Sequence, residues 1–288
     1  MGFRTVIISS RAKLEFRLNF MIVRCEKERR VYIDEINTLL IQSTAVSLTS
    51  ALLSELVKRN VKVIFCDEKH SPSSELVPYY GAHNTSKRYK VQAYWNQETK
   101  NDIWRLIVVQ KILNQSKLLN KKGYRKESLL LESYIPDVLP GDSTNREGHA
   151  AKVYFNCLLQ KGTSRRDGGF VNGCLNYGYA ILLSAFNREI VASGYLTQFG
   201  IWHDNAFNQF NLSSDLMEPL RPVVDEIATN IPDGTKEFKK IMADVLNAPI
   251  KIDGKSTTLD FAIGVYVKSV LRALEFNDLS EILFPCYE

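Results

Sequence analysis

Hydrophobic positions change their period part-way along the chain. Over residues 1–80 they alternate with polar ones or gather in short β-branched and aromatic runs. Lys13-Leu14-Glu15-Phe16-Arg17-Leu18 puts its apolar side chains on one face of an extended segment. Residues 3–8, 20–23, 31–33, 38–41 and 61–65 read as further strands between polar turns. One helix interrupts them, capped by Ser47, with Leu48, Leu52, Leu53, Leu56 and Val57 as its apolar stripe.

Between residues 67 and 90 the composition turns to Ser, Pro, Gly, His and charge, as in Ser71-Pro72-Ser73-Ser74 and Gly81-Ala82-His83-Asn84, which marks a domain boundary. Beyond it the period is helical. Ile103, Leu106, Val109 and Leu113, widened by Ile107, Val108 and Ile112, predict a central helix that is apolar on most sides. Tyr179, Leu182, Leu183, Phe186 and Ile190 mark a second helix, stopped by Gly194, and Leu259, Ile263, Tyr266, Val267, Val270 and Leu274 a third. The pattern predicts an α+β protein of two domains. A small N-terminal β-rich domain with one helix covers residues 1–80, a linker covers 81–90, and a larger all-α domain covers 91–288.

Composition sharpens this in three ways. At roughly 150 residues per domain, 288 residues match the two domains, and 45% hydrophobic with 24% charged residues is an ordinary soluble balance. Charge is uneven: residues 1–200 carry 29 basic and 18 acidic side chains, residues 201–288 only 8 against 14. That asymmetry points to a nucleic-acid-facing surface in the first part and a carboxylate-rich site near the start of the second. Five scattered cysteines without a C-x-x-C pair argue against a disulfide scaffold and a zinc ribbon. No apolar run reaches membrane-spanning length and the first residues lack a secretory core, so a cytoplasmic protein is expected.

Familiar catalytic motifs are missing: no G-x-S-x-G, no G-x-x-x-x-G-K-[ST], no H-E-x-x-H and no G-x-G-x-x-G. Gly168-Gly169-Phe170-Val171-Asn172-Gly173 has the wrong spacing for a dinucleotide turn and reads as a flexible loop. Of the four histidines, His203 stands out, because Asp215 and Glu218 follow within fifteen residues; an imidazole with carboxylates suits Mn²⁺ or Mg²⁺. Structural readings stand beside this. Thr144-Asn145-Arg146-Glu147 fits a capping box, and Asp215-Leu216-Met217-Glu218-Pro219 fits a cap followed by proline in the first turn. Lys111, Lys117, Lys121, Lys122, Arg125 and Lys126 form either a phosphate-facing surface or a solvated helix end. Arg165 and Arg166 in the Gly-rich loop are better placed for phosphates.

Taken in order, these segments resemble one family. The stretch Glu147-Gly148-His149-Ala150-Ala151-Lys152-Val153-Tyr154 is similar to the E-G-x-x-A-x-x-Y/F motif of the CRISPR-associated integrase-endonuclease that acquires new spacers. Asn172-Gly173-Cys174-Leu175-Asn176-Tyr177-Gly178-Tyr179 resembles its N-x-x-L-N-Y-G-Y segment. Gly200-Ile201-Trp202-His203 followed by Asp215-Leu216-Met217-Glu218-Pro219-Leu220-Arg221-Pro222 resembles its G-x-x-H and D-L-x-E-P-x-R-P signature. The opening Met1-Gly2-Phe3-Arg4-Thr5-Val6 and the Tyr79-Tyr80-Gly81-Ala82-His83 segment are similar to the type II-A subgroup.

The resemblance implies an assembly domain followed by a metal-dependent catalytic domain. It assigns Glu147, His203 and Glu218 as catalytic ligands of Mg²⁺ or Mn²⁺, with Asp215 in support. The implied reaction joins the 3′-hydroxyl ends of short double-stranded DNA fragments to the ends of CRISPR repeat DNA by transesterification, with endonuclease activity alongside. Arg146, Lys152, Arg165 and Arg166 become candidate phosphate contacts, and Tyr177 a residue that packs either on DNA or in the core. Implied partners are a second copy of the chain and a small second adaptation protein, two dimers flanking its dimer. The effector nuclease and a DNA-end-binding ring protein are further implied partners; no membrane is. Two alternatives remain at this point: a non-catalytic DNA-binding scaffold of the same complex, and a metal-dependent hydrolase of a small substrate.

Overall fold

The computed structural model describes residues 2, 4–79, 82–159, 164–165 and 167–287. The chain divides into two compact units after Gly81.

In the first unit, β1 (Arg4–Ile8), β5 (Ile36–Ile41), β7 (Lys62–Cys66) and β8 (Pro72–Glu75) form one sheet, and β2 (Ala12–Arg17), β3 (Phe20–Arg24), β4 (Arg29–Tyr32) and β6 (Val46–Leu48) form another. The alternation read from residues 13–18 is the register of β2 against β3, Leu14 opposite Val23 and Phe16 opposite Met21. Leu14, Met21, Ile33, Ile36, Leu39 and Val63 meet Leu52 and Leu56 of α1 (Ser50–Lys58) in a single core. Two local expectations shift here. Thr49, not Ser47, caps α1, accepting from the Leu52 amide, because Ser47 lies in β6. Residues 72–75, polar in composition, are a strand, because they complete the sheet edge beside β7.

The second unit is helical around α3 (Gln97–Lys121), which packs against α4 (Arg125–Tyr134), α5 (Arg146–Leu158), α8 (Arg221–Asn230) and α10 (Leu259–Phe276). Both other helices read from periodicity are present, as α6 (Phe170–Ala192) and α10, and Gly194 with φ of +78° follows α6. Shorter α7 (Asn211–Met217) and α9 (Phe238–Ala243) complete the described helices together with α2 (Thr85–Ala93).

Three features depart from the sequence reading. Most of the expected linker 81–90 is helix, since α2 is anchored by hydrogen bonds, not by an apolar stripe: Gln92 Nε2 donates to Leu196 O at 2.8 Å while its Oε1 accepts from the Leu196 amide at 2.8 Å. The unit is not all-α, because β9 (Pro249–Ile252) and β10 (Lys255–Thr258) pair across the turn Asp253-Gly254, both with positive φ. Gly168–Gly173 is not wholly loop; α6 begins at Phe170.

Gly178 on α6 sets how closely neighbouring helices approach. A Cβ there would lie 2.6 Å from Val224 Cγ1 on α8 and 2.3 Å from Met242 Cε on α9. Alanine gains about 1 kcal/mol of intrinsic helix propensity, but this overlap includes a stiff valine that cannot swing away. We predict that Gly178→Ala is net destabilising, by roughly 1–3 kcal/mol. A lowered urea midpoint with an unchanged slope is the expected result.

Candidate metal centre

Helix α3 carries three side chains that organise the site. Trp104, Lys111 and Asn114 are buried, and Lys111 follows Trp104 by seven residues, two turns along the same face. Asn114 Nδ2 donates to Pro219 O at 2.7 Å and so ties α3 to the 3-10 turn Glu218–Leu220 that links α7 to α8. Trp104 stacks on Trp202 at 5.8 Å with planes 5° apart and meets the His203 ring edge-on at 5.7 Å.

Between these two contacts, Lys111 Nζ sits on two carboxylates. It donates to Glu147 Oε1 at 2.6 Å and pairs with Glu218 Oε2 at 2.5 Å. Burial disfavours the Lys111 charge, but Glu218 and Glu147 outweigh it and hold the amine above its ordinary pKa. Burial likewise opposes ionisation of Glu218. Arg221, whose Nε donates to Glu218 Oε1 at 2.8 Å, and Lys111 overcome it and bring that carboxyl down to about 2. Lys111 and Glu218 are thus both ionised at neutral pH.

Glu147 reaches this point from the first turn of α5. The expected capping box does not form: Asn145 is the cap residue with φ of +53°, and Thr144 Oγ1 instead donates to Asp137 O. The buried Asp142 caps the helix from further back, accepting from the Arg146 amide at 2.8 Å and the Glu147 amide at 3.0 Å. Freed from capping, the Glu147 side chain turns to Lys111.

Asp215 is fully buried in α7 and does not cap the following turn. Its Oδ2 accepts from the Ile201 and Trp202 amides at 2.6 and 2.9 Å, and its Oδ1 from the His203 amide at 3.2 Å. Three successive amides thus wrap one carboxylate, an anion nest closed by a side chain of the same fold. Gly200 makes the wrap possible, since a Cβ there would lie 2.2 Å from His203 O and 2.8 Å from Asp215 Oδ2. Asp215 Oδ1 also binds His203 Nδ1. That hydrogen bond, against burial, raises the imidazole above its ordinary pKa, with the charges of Asp215, Glu218 and Glu147 adding. The His203 side chain remains 43% exposed.

The structure therefore links Glu147 and Glu218 through Lys111, and places His203 on Asp215 within their electrostatic reach. Among the described residues, no three His, Cys, Asp or Glu side chains are grouped as a ready metal cage. The carboxylates close on the ammonium and the imidazole on Asp215.

The expected DNA contacts separate. Lys152 is exposed. Arg146 pairs with Asp137 at 2.9 Å and lies over the Tyr134 ring, and Arg165 donates to Asn172 and Asn176 and lies over Phe155 and Tyr179. Tyr177 is 3% exposed, edge-on to Phe238, so it fills the core and offers no face to DNA. Arg166 lies outside the described residues. Of the basic run only Lys111 is buried, in the site; Lys117 and Lys121 are exposed, the first donating to Tyr287 O and the second paired with Glu226. Sequence reading missed Lys111 and Arg221 as site residues. The signal for Lys111 was its position on the face of Trp104, Ile107 and Val108, where a lysine needs buried anions.

The model of the CRISPR associated protein Cas1 family matches residues 5–240. The CRISPR-associated endonuclease Cas1 of Neisseria meningitidis is 33% identical over 99% of this chain and 96% of its own length. The chain belongs to the Cas1 family. Its fold is also that of a casposase bound to integration product, with a TM-score of 0.78 at 18% identity over 96% of this chain and 91% of that one. A Cas6-RT-Cas1–Cas2 complex contains the same fold, with a TM-score of 0.72 at 18% identity, covering 98% of this chain and 36% of that larger one. Among the described residues of this Cas1 family member, no helix is long and apolar enough to cross a membrane.

The lowered Glu218 pKa has a consequence for stability. A carboxylate depressed in the folded state stabilises fully above its unfolded value near 4.5 and loses that contribution as pH falls toward about 2. The loss expected across this window is about 3 kcal/mol. Denaturation at stepped pH should show Glu218→Gln with a shallower acid slope than wild type over that range.

Proposed function

We propose that the chain is a metal-dependent DNA integrase and endonuclease of CRISPR adaptation, joining the 3′-hydroxyl ends of short DNA fragments to CRISPR repeat ends. The observation that carries this reading is the pair of carboxylates from distant segments, Glu147 and Glu218, converging on one buried cationic group beside His203. Family membership, relatives named endonucleases and a structural neighbour bound to an integration product support it.

The donor set fits a hard divalent cation. Two carboxylate oxygens already accept a cation's charge, and His203, held through Nδ1 by Asp215, keeps Nε2 as its remaining ligand atom, the second-sphere arrangement usual for metal-bound histidine. Glu147, Glu218 and His203 would hold Mg²⁺ or Mn²⁺. Bound there, such an ion supplies stabilisation of charge on the phosphoryl oxygens and lowers the pKa of the attacking hydroxyl. The chain's own residues prepare that chemistry. Arg221 and Lys111 keep Glu218 ionised despite burial. Asp215 fixes the imidazole's orientation, and Gly200 lets the loop close around Asp215.

In the reaction, a fragment's 3′ oxygen forms a bond to phosphorus at the repeat end while the bond to the repeat's own 3′ oxygen breaks, and that oxygen leaves with the proton. Water in place of the 3′-hydroxyl gives nicking. Lys152 is the candidate phosphate contact best placed on the surface; Arg146 and Arg165 are already engaged within the unit. We further propose that the protein works as a homodimer with the small second adaptation protein, a reading supported by the Cas1–Cas2 assembly among its structural neighbours.

A joining assay with a supercoiled repeat-bearing plasmid, fragment DNA, the partner protein and Mn²⁺ or Mg²⁺ tests the proposal. Glu147→Ala and His203→Ala are each expected to lower joining at least about 100-fold, the order of loss when charge stabilisation at a reacting centre is removed. Undiminished joining by either variant would favour the non-catalytic scaffold instead.

A further inference from the structure

Lys111 is placed as a bound ion would be. Its Nζ lies 2.6 Å from Glu147 Oε1 and 2.5 Å from Glu218 Oε2, with the side chain 9% exposed. Hard divalent cations approach carboxylate oxygens to about 2.0–2.6 Å. An ion shared by these two oxygens would therefore take the volume that the ammonium fills, and like charges in contact repel.

Resting on the functional reading above, we infer that Lys111 is a resident counter-ion of the metal centre, and that a divalent cation enters by displacing its ammonium from between Glu147 and Glu218. The two basic partners of Glu218 are not equivalent in this exchange. Arg221 binds the other oxygen, Oε1, at 2.8 Å and lies 4.6 Å over the Tyr179 ring, a planar group held on two sides. Lys111 is a point charge on a flexible stem, and its Nζ holds only Glu147 and Glu218 among the contacts described. The oxygen that Arg221 grips stays occupied; the oxygen that Lys111 grips is the one that changes hands. The device keeps the carboxylate pair neutralised at every stage and sets the affinity for the ion below what the bare carboxylates would give.

The test is a Mn²⁺ titration of chelator-treated full-length protein, followed by calorimetry and by the spin-resonance signal of free Mn²⁺. Glu147→Gln identifies binding at this centre by weakening it. Lys111→Met and Lys111→Gln, which remove the competing charge at similar length, are expected to bind Mn²⁺ at least tenfold more tightly than wild type and to gain more in Tm at a given Mn²⁺ concentration. Unchanged or weaker binding by both variants overturns the exchange while leaving the functional reading intact. Wild-type binding that is absent, or indifferent to Glu147→Gln, overturns both. Should neither variant fold, a crystal structure of the wild type grown with Mn²⁺ decides: Nζ moved off at least one glutamate with the ion in its place supports the exchange, and Nζ still on both overturns it.

Discussion

A buried carboxylate such as Glu218 stays charged only where cations are delivered to it, and here one comes from Arg221 and the one it shares with Glu147 from the middle of the longest described helix. Lys111 is two turns beyond Trp104 and one turn before Asn114 and Gln115, so the face of α3 that supports the His203 loop also supplies the ammonium and the tie to Pro219. Displacing α3 would part Glu147 from Glu218 and unseat His203 together. The helix is apolar on most sides because it is packed on most sides. Of the polar residues on its buried surface, Lys111 and Asn114 serve the site, while Ser116 bonds Ser128 and Glu132 of α4.

The unit partners these anions in two chemically different ways. Asp215 is satisfied mainly by backbone amides, which belong to the fold and cannot leave without unfolding the loop; Gly200 exists there because that wrap leaves no room for a Cβ. Glu147 and Glu218 are satisfied by side chains, which can rotate away. The distinction separates a positioning anion from the proposed ligand anions. A carboxylate locked by three amides orients an imidazole; carboxylates closed by a lysine can accept a different cation. Asp215 and Glu218 are only three residues apart, so a single helical turn presents both solutions side by side.

Much of this was legible in the sequence, and the gaps have physical causes. The strand alternation, the three long helices and the order of motifs were readable because burial imposes a period on long elements. Helix α2 was not, because Gln92 and Arg88 hold it by polar anchors that leave no hydrophobic stripe. The β9–β10 hairpin was short enough to be lost between helices although Asp253-Gly254 carries its turn signal. At the site, the motif residues Glu147, His203, Asp215 and Glu218 were named, but a capping box was read where Asp142 does the capping, and Lys111 was counted among surface lysines. Spacing shows which residues share a helix face; it does not show which distant anion waits on that face.

The electrostatics of the same few residues also run in opposite senses. Glu218 is buried against two cations, which draw its carboxyl down to about 2. Asp225, one helix turn beyond Arg221, is just as buried, yet burial pushes it up to about 6, because the hydroxyls of Tyr154 and Tyr179 and the more remote Arg221 and Arg165 offset only part of the cost. A hydrogen bond from a neutral hydroxyl stabilises a carboxylate less than a guanidinium or ammonium does. Asp225 gives its oxygens to the two tyrosines, while Arg221 keeps its Nε on Glu218 and its plane over Tyr179. Folding stability records the balance: the Glu218 contribution grows as pH rises from about 2 to 4.5, whereas Asp225, with its pKa raised from 3.8 to about 6, lowers stability as pH climbs through that interval. The cost at neutral pH thus comes from burying Asp225, and the tyrosine pair reduces it while Arg221 stays on Glu218.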